Sequence, residues 1–185
     1  MKRNFVRNLA LSAALALAAV ASAATANTQP YTDESIAAKA AKEIRTYYQY
    51  SIWDNVNLRV HDGNAELTGQ VSQPFKKRDM ERLVQRVPGV ASVTNHLEVL
   101  PVSFFDDDLR IRIARAIYRD PSLSRYAIQA VPPIHIIVNN GRVTLEGVVN
   151  NDLEKTVAFM RASTAGLSLG KVENNLRVEN PKRKS

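Results

Sequence analysis

Val56-Asn57-Leu58-Arg59-Val60-His61-Asp62-Gly63-Asn64-Ala65-Glu66-Leu67-Thr68-Gly69-Gln70-Val71 is written twice in this chain. The second copy reads Ile134-His135-Ile136-Ile137-Val138-Asn139-Asn140-Gly141-Arg142-Val143-Thr144-Leu145-Glu146-Gly147-Val148-Val149. Gly141 follows Gly63 by 78 residues, and Gly147 follows Gly69 by the same 78. Apolar residues at 56, 58, 60, 67 and 71 meet apolar residues at that offset. A shared hydrophobic pattern is common, but two glycines in register inside it mark a duplicated domain.

Working outward, each copy predicts the order α-β-β-α-β. In the first, Asp33 suits a helix N-cap, and Ile36, Ala40, Ile44 and Tyr47 share one helical face. Val56, Leu58 and Val60 alternate as a strand, Asp62-Gly63 makes a tight turn, and a second strand runs to Val71. Pro74 suits a helix start, Met80, Leu83, Val84 and Val87 form its apolar stripe, and Pro88-Gly89 stops it. Val93, Leu97 and Val99 suggest a closing strand, parallel to the second because a helical crossover joins them. In the second copy, Asp106-Asp107-Asp108 places negative charge at a helix start, and Leu109, Ile113, Ala116 and Ile117 face the core. Asp120-Pro121 ends that helix, a later helix runs through Val157 and Met160, and Val172, Leu176 and Val178 close the unit. The predicted fold class is α+β, an α/β sandwich made twice.

The residues ahead of the repeats predict export. Lys2, Arg3 and Arg7 precede an apolar run from Leu9 to Val20, and Ala21-Ser22-Ala23 supplies the small residues of a cleavage site. Cleavage is expected after Ala23, with Ala26 as the second choice. The run is shorter than the roughly 20 residues needed to span a bilayer. The chain has no cysteine, hence no thiol to acylate and no disulfide. Of the formal net charge of +7, three belong to the signal and three to Lys182, Arg183 and Lys184, leaving the body near +1. The high pI therefore does not point to nucleic acid.

These motifs resemble the BON domain (bacterial OsmY and nodulation). The first copy carries it as Gly63, Leu67, Gly69, Val71, Val87-Pro88-Gly89-Val90, Val93, Asn95, Leu97 and Val99. The second carries Gly141, Val143, Leu145, Gly147, Val149, Val172, Asn174, Leu176 and Val178, departing where Ala165-Gly166-Leu167-Ser168-Leu169 replaces Pro-Gly-Val with one inserted residue. The expected organisation is a signal peptide at 1–23, BON domains at 32–100 and 106–179, a linker at 101–105 and a basic disordered tail at 180–185. The resemblance implies a periplasmic or outer-membrane-associated protein without a known catalytic site. It also implies association with anionic phospholipid or the envelope, in support of envelope integrity or osmotic stress tolerance. The alternative is a protein–protein interaction module engaging another envelope protein. The motif glycines and apolar residues carry over as fold determinants only.

Catalytic motifs are absent: there is no His-Glu-x-x-His, no Gly-x-Ser-x-Gly and no phosphate loop. His61, His96 and His135 fall on a hairpin tip and two different strands, so no shared metal site is expected and no cofactor is invoked. Asp106-Asp107-Asp108 reads as helix-start charge, because calcium loops space their ligands at alternate positions. Two surfaces remain. Arg78, Arg82 and Arg86, at i, i+4 and i+8, form a row that either meets anionic headgroups or is a solvated face paired with Asp79 and Glu81. Ile111 and Tyr118, flanked by Arg110, Arg112, Arg115 and Arg119, lie just after Phe104 and Phe105 and suit a bilayer interface. The competing reading buries those phenylalanines in a contact between the domains and is preferred, because small domains on a short linker usually touch.

Overall fold

The computed structural model describes residues 31–165 and 172–179. The signal peptide with both cleavage positions, residues 166–169 of the variant turn and the 180–185 tail lie outside the described residues. The order is α1 (Asp33–Thr46), β1 (Asn55–His61), β2 (Asn64–Val71), α2 (Pro74–Gln85), β3 (Ser92–Asn95) and β4 (Glu98–Val99). It continues with α3 (Phe104–Tyr118), a 3-10 turn (Ser124–Tyr126), β5 (Ile134–Asn139), β6 (Arg142–Val149), α4 (Asp152–Ala165), β7 (Val172–Asn174) and β8 (Arg177–Val178). In each half an antiparallel hairpin is joined by a parallel strand that returns beside its second member, as β2 with β3 and β6 with β7. The class is α+β, with two mixed sheets each covered by two helices.

The hairpin turns explain the repeated glycines. Asp62 and Gly63 have φ of 49° and 74°, and Asn140 and Gly141 have 50° and 78°, the left-handed pair that matches strand twist in a two-residue loop. Gly69 and Gly147 answer to a harder constraint. A Cβ at either would stand 2.1 Å from the Asn55 carbonyl oxygen or 1.9 Å from that of Pro133, so no side chain fits.

Each first helix clasps its own hairpin. Asp33 accepts the amides of Asp62 (2.8 Å) and Gly63 (2.9 Å), and these bonds, Gly63 first, hold its carboxyl below the usual range. Asp106, buried, accepts those of Asn140 and Gly141, both at 2.8 Å. Neither is the helix cap. Thr32 caps α1 through the Ser35 amide and Ser103 caps α3 through the Asp106 amide, each one residue ahead of its helix. Because α3 begins at Phe104, the last two residues of the expected linker are helical.

The expected single closing strand is broken in both halves. Asn95 donates Nδ2 to the Lys77 carbonyl (2.8 Å) and accepts the Leu97 amide, so the strand stops at Asn95 and resumes at Glu98. Asn174 does the same to Lys155 and Leu176. This interruption lets Leu97 and Leu176 drop into the two cores. Helix α4 spans Val157 and Met160 as expected. Glu154, Ala158 and Ala162 are buried, while Met160 is 52% exposed, because α4 lays its alanines against α3.

The two halves touch through the connector between α1 and β1. Ile52 and Trp53 pack on the second core, the Ile136 amide donates to the Ile52 carbonyl (2.7 Å), and the Tyr50 ring lies 5.5 Å from that of His135. Partial burial of these two side chains is worth on the order of 2 kcal/mol.

Candidate functional site

Helix α3 presents the main unpartnered apolar group. Phe104 is 94% exposed, Val102 is 90% and Phe105 is 50%. Ile111, seven residues after Phe104, and exposed Arg115, four further on, lie on the same side of the helix. The expected burial of Phe104 and Phe105 between the domains is overturned. Ile52 and Trp53 make that contact instead, from a connector whose aromatic density (Tyr47, Tyr48, Tyr50, Trp53) was the overlooked signal.

The structure takes two flanking residues out of this surface. Tyr118 turns inward, packs against the second core and donates its hydroxyl to the Ile134 carbonyl, and burial pushes its pKa up. Arg110 is buried, donates to the Val138 carbonyl (2.6 Å) and pairs with Asp107. Arg112 is half-buried, pairs with Asp108 at 2.8 Å and reaches the Ala165 carbonyl. Arg115 and Arg119 are exposed and make no ion pair among the described residues. Phe104, Phe105, Ile111 and Arg115 are thus brought together at the surface, and Tyr118 is not.

The arginine row lies on α2 and its C-cap, in the other domain. Arg78, Arg82 and Arg86 are all exposed, with Arg82 only loosely paired to Asp79 at 3.9 Å. Asp79 is itself held by the Tyr47 hydroxyl at 2.6 Å.

Other polar groups are structural in their bonding. Ligand atoms of Asp33, His61 and Asp62 lie within 4.8 Å of one another, but both Asp33 oxygens already accept turn amides. His135 sits in the domain contact, where burial lowers its pKa and Nδ1 has no hydrogen-bond partner among the described residues. Asp54, fully buried, accepts Lys76 Nζ (2.7 Å) together with bonds from Ser51 and Ser72. In the second domain Glu154 accepts from Tyr126, Arg125 and the Asn150 amide, bonds that hold its pKa down despite burial.

Among the described residues no helix is long and apolar enough to cross a membrane. No curated protein matches the chain by sequence. Two solved structures resemble it in fold only loosely. One is described as CdsD, a structural protein of the type III secretion system of Chlamydia trachomatis, 14% identical, spanning 77% of this chain and 92% of its own, with a TM-score of 0.26. The other, the C-terminal domain of the same protein, is 14% identical over 75% of this chain and 96% of its own, with a TM-score of 0.25. At such scores neither bears on function. The family model for the BON domain matches residues 32–101 and again 106–180. Those two spans contain both helix–hairpin clasps and both broken closing strands, and the chain belongs to the BON domain family, with two domains in tandem.

Proposed function

We propose that this is a non-enzymatic periplasmic protein that associates peripherally with anionic phospholipid and supports envelope integrity, including under osmotic stress. The observation that carries the reading is Phe104, 94% exposed at the start of α3 beside Val102, with Phe105, Ile111 and Arg115 on the neighbouring surface. Aromatic rings settle at headgroup depth, and arginine meets phosphate there. The export-type leader and the absence of cysteine favour the periplasm. The Arg78, Arg82 and Arg86 row on α2 adds long-range attraction, each basic residue near an anionic surface contributing about 1 kcal/mol. Sedimentation with vesicles tests this. The protein pellets with phosphatidylglycerol vesicles at low salt, far less with phosphatidylcholine, and Phe104→Ser with Arg115→Glu releases it. Equal pelleting with both lipids, or no effect of the substitutions, contradicts the assignment.

A further inference from the structure

The two hairpins expose their outer edges differently. In a hairpin with a two-residue loop, His61 and Asn64 form the first hydrogen-bonded pair, so the backbone groups of Leu58 and Val60 point away from β2. Their counterparts in the second domain, Ile136 and Val138, point the same way, and each has one of its two groups occupied. The Ile136 amide bonds to Ile52, and the carbonyls of Val138 and Ile134 take Arg110 and Tyr118. Those two side chains come from α3 positions that correspond to Ala37 and Arg45 on α1, 73 residues earlier, as Ile36, Ala40 and Ile44 correspond to Leu109, Ile113 and Ile117. Alanine cannot reach a strand carbonyl. Among the described residues nothing bonds to the outward groups of Leu58 or Val60.

Beside this open edge runs a groove of about 670 Å³ between α1 and β1. Ala37, Ala41, Ile44 and Leu58 give it an apolar floor, and Arg45, Arg59 and Arg177 stand around it. None of these arginines makes an ion pair among the described residues. We propose that the β1 edge docks an extended acidic segment of a partner polypeptide, which adds a strand to the first sheet. Its alternate side chains would be apolar toward Ala37 and Ala41 and acidic toward Arg59. At the equivalent edge of the second domain the Ile136 amide already donates to the Ile52 carbonyl, in the turn ahead of β1. Strand addition supplies affinity through main-chain bonds and selectivity through alternate side chains. The inference is independent of the lipid-binding reading, which rests on α3 and the α2 arginine row and not on the β1 edge.

The test uses the full chain and a short fluorescein-labelled peptide of alternating valine and glutamate, with a valine–lysine peptide as control. Anisotropy is expected to rise with the acidic peptide alone, and hydrogen exchange at the Leu58 and Val60 amides to slow when it binds. Ala37→Arg, which introduces the side chain that closes the edge in the second domain, is expected to weaken binding at least about tenfold, as is Arg59→Glu. Should Ala37→Arg fail to fold, Arg59→Glu decides. The proposal is overturned by absence of binding, or by protection that appears elsewhere. It is equally overturned if the Leu58 amide is already protected in the free chain, which indicates a self-segment or a second copy. It also fails if Arg59→Glu abolishes vesicle binding while leaving peptide binding unchanged.

Discussion

Lys76 and Glu154 occupy the same position in the two domains, the third residue of the second helix, and carry opposite charges in equally buried sites. A cation there opposes the helix dipole and an anion complements it. Each is balanced locally. Lys76 is neutralised by Asp54 from the α1–β1 connector, and Glu154 is met by Arg125 and Tyr126 from the α3–β5 connector. The duplicated fold thus uses its two variable connectors to satisfy a buried charge of either sign.

Removing one partner should be far worse than removing both. Asp54→Ala strands the Lys76 ammonium and is expected to destabilise the first domain by about 3–5 kcal/mol. The double substitution Asp54→Leu with Lys76→Met should recover much of that loss. Urea denaturation followed by circular dichroism measures both, and equal losses for the single and double variants would refute the pairing.

The second domain should be sensitive to acid. Asp120 is held below its ordinary 3.8 by Ser122 and by Arg161. Burial alone would raise Glu154, but its bonds to Tyr126, Asn150 and Arg125 bring it below its ordinary 4.5. With folded values depressed, the unfolded chain binds protons first as pH falls. The stabilisation is complete above the ordinary values and is lost as pH drops through the folded ones. Thermal unfolding from pH 6 to pH 3 should show Tm falling below about pH 4.5. Glu154→Gln should lower Tm at neutral pH and flatten that slope.

The domain contact should weaken as pH falls below about 6.5. Burial holds His135 below its ordinary 6.5 against Tyr50, so the neutral ring is favoured in the fold. Its contribution is complete above 6.5 and declines as pH falls toward the folded value. Trp53→Ala is expected to destabilise the second domain by about 2 kcal/mol although it lies in the first. The chain's only tryptophan reports the contact directly by its fluorescence. An emission maximum unchanged between pH 7.5 and pH 5.5, with no stability loss in Trp53→Ala, would count against this role.

Much of the fold was legible because it rests on periodicity and on glycines that nothing can replace. The stripe Leu109, Ile113 and Ile117 is buried as its spacing requires, and Gly69 and Gly147 sit where a Cβ would strike a carbonyl. What local pattern did not convey was partnership across sequence. Asp33 and Asp106 stand at helix starts, yet they serve turns some 30 residues away. Tyr118 lies off the apolar stripe and is nonetheless drawn in, because its hydroxyl finds a strand carbonyl that lacks a neighbour. The role of Trp53 was illegible for a related reason: its partner core belongs to the other repeat.

The proposed lipid contact of α3 can be tested at a single position, because the chain has no cysteine to compete for a label. Phe104→Cys and Ile128→Cys each carry an environment-sensitive fluorophore, the latter as a control, being 87% exposed in the connector ahead of β5. Titration with phosphatidylglycerol vesicles should shift emission at position 104 to the blue while leaving position 128 unchanged. An equal shift at both positions, or none at 104, would contradict membrane association through this helix.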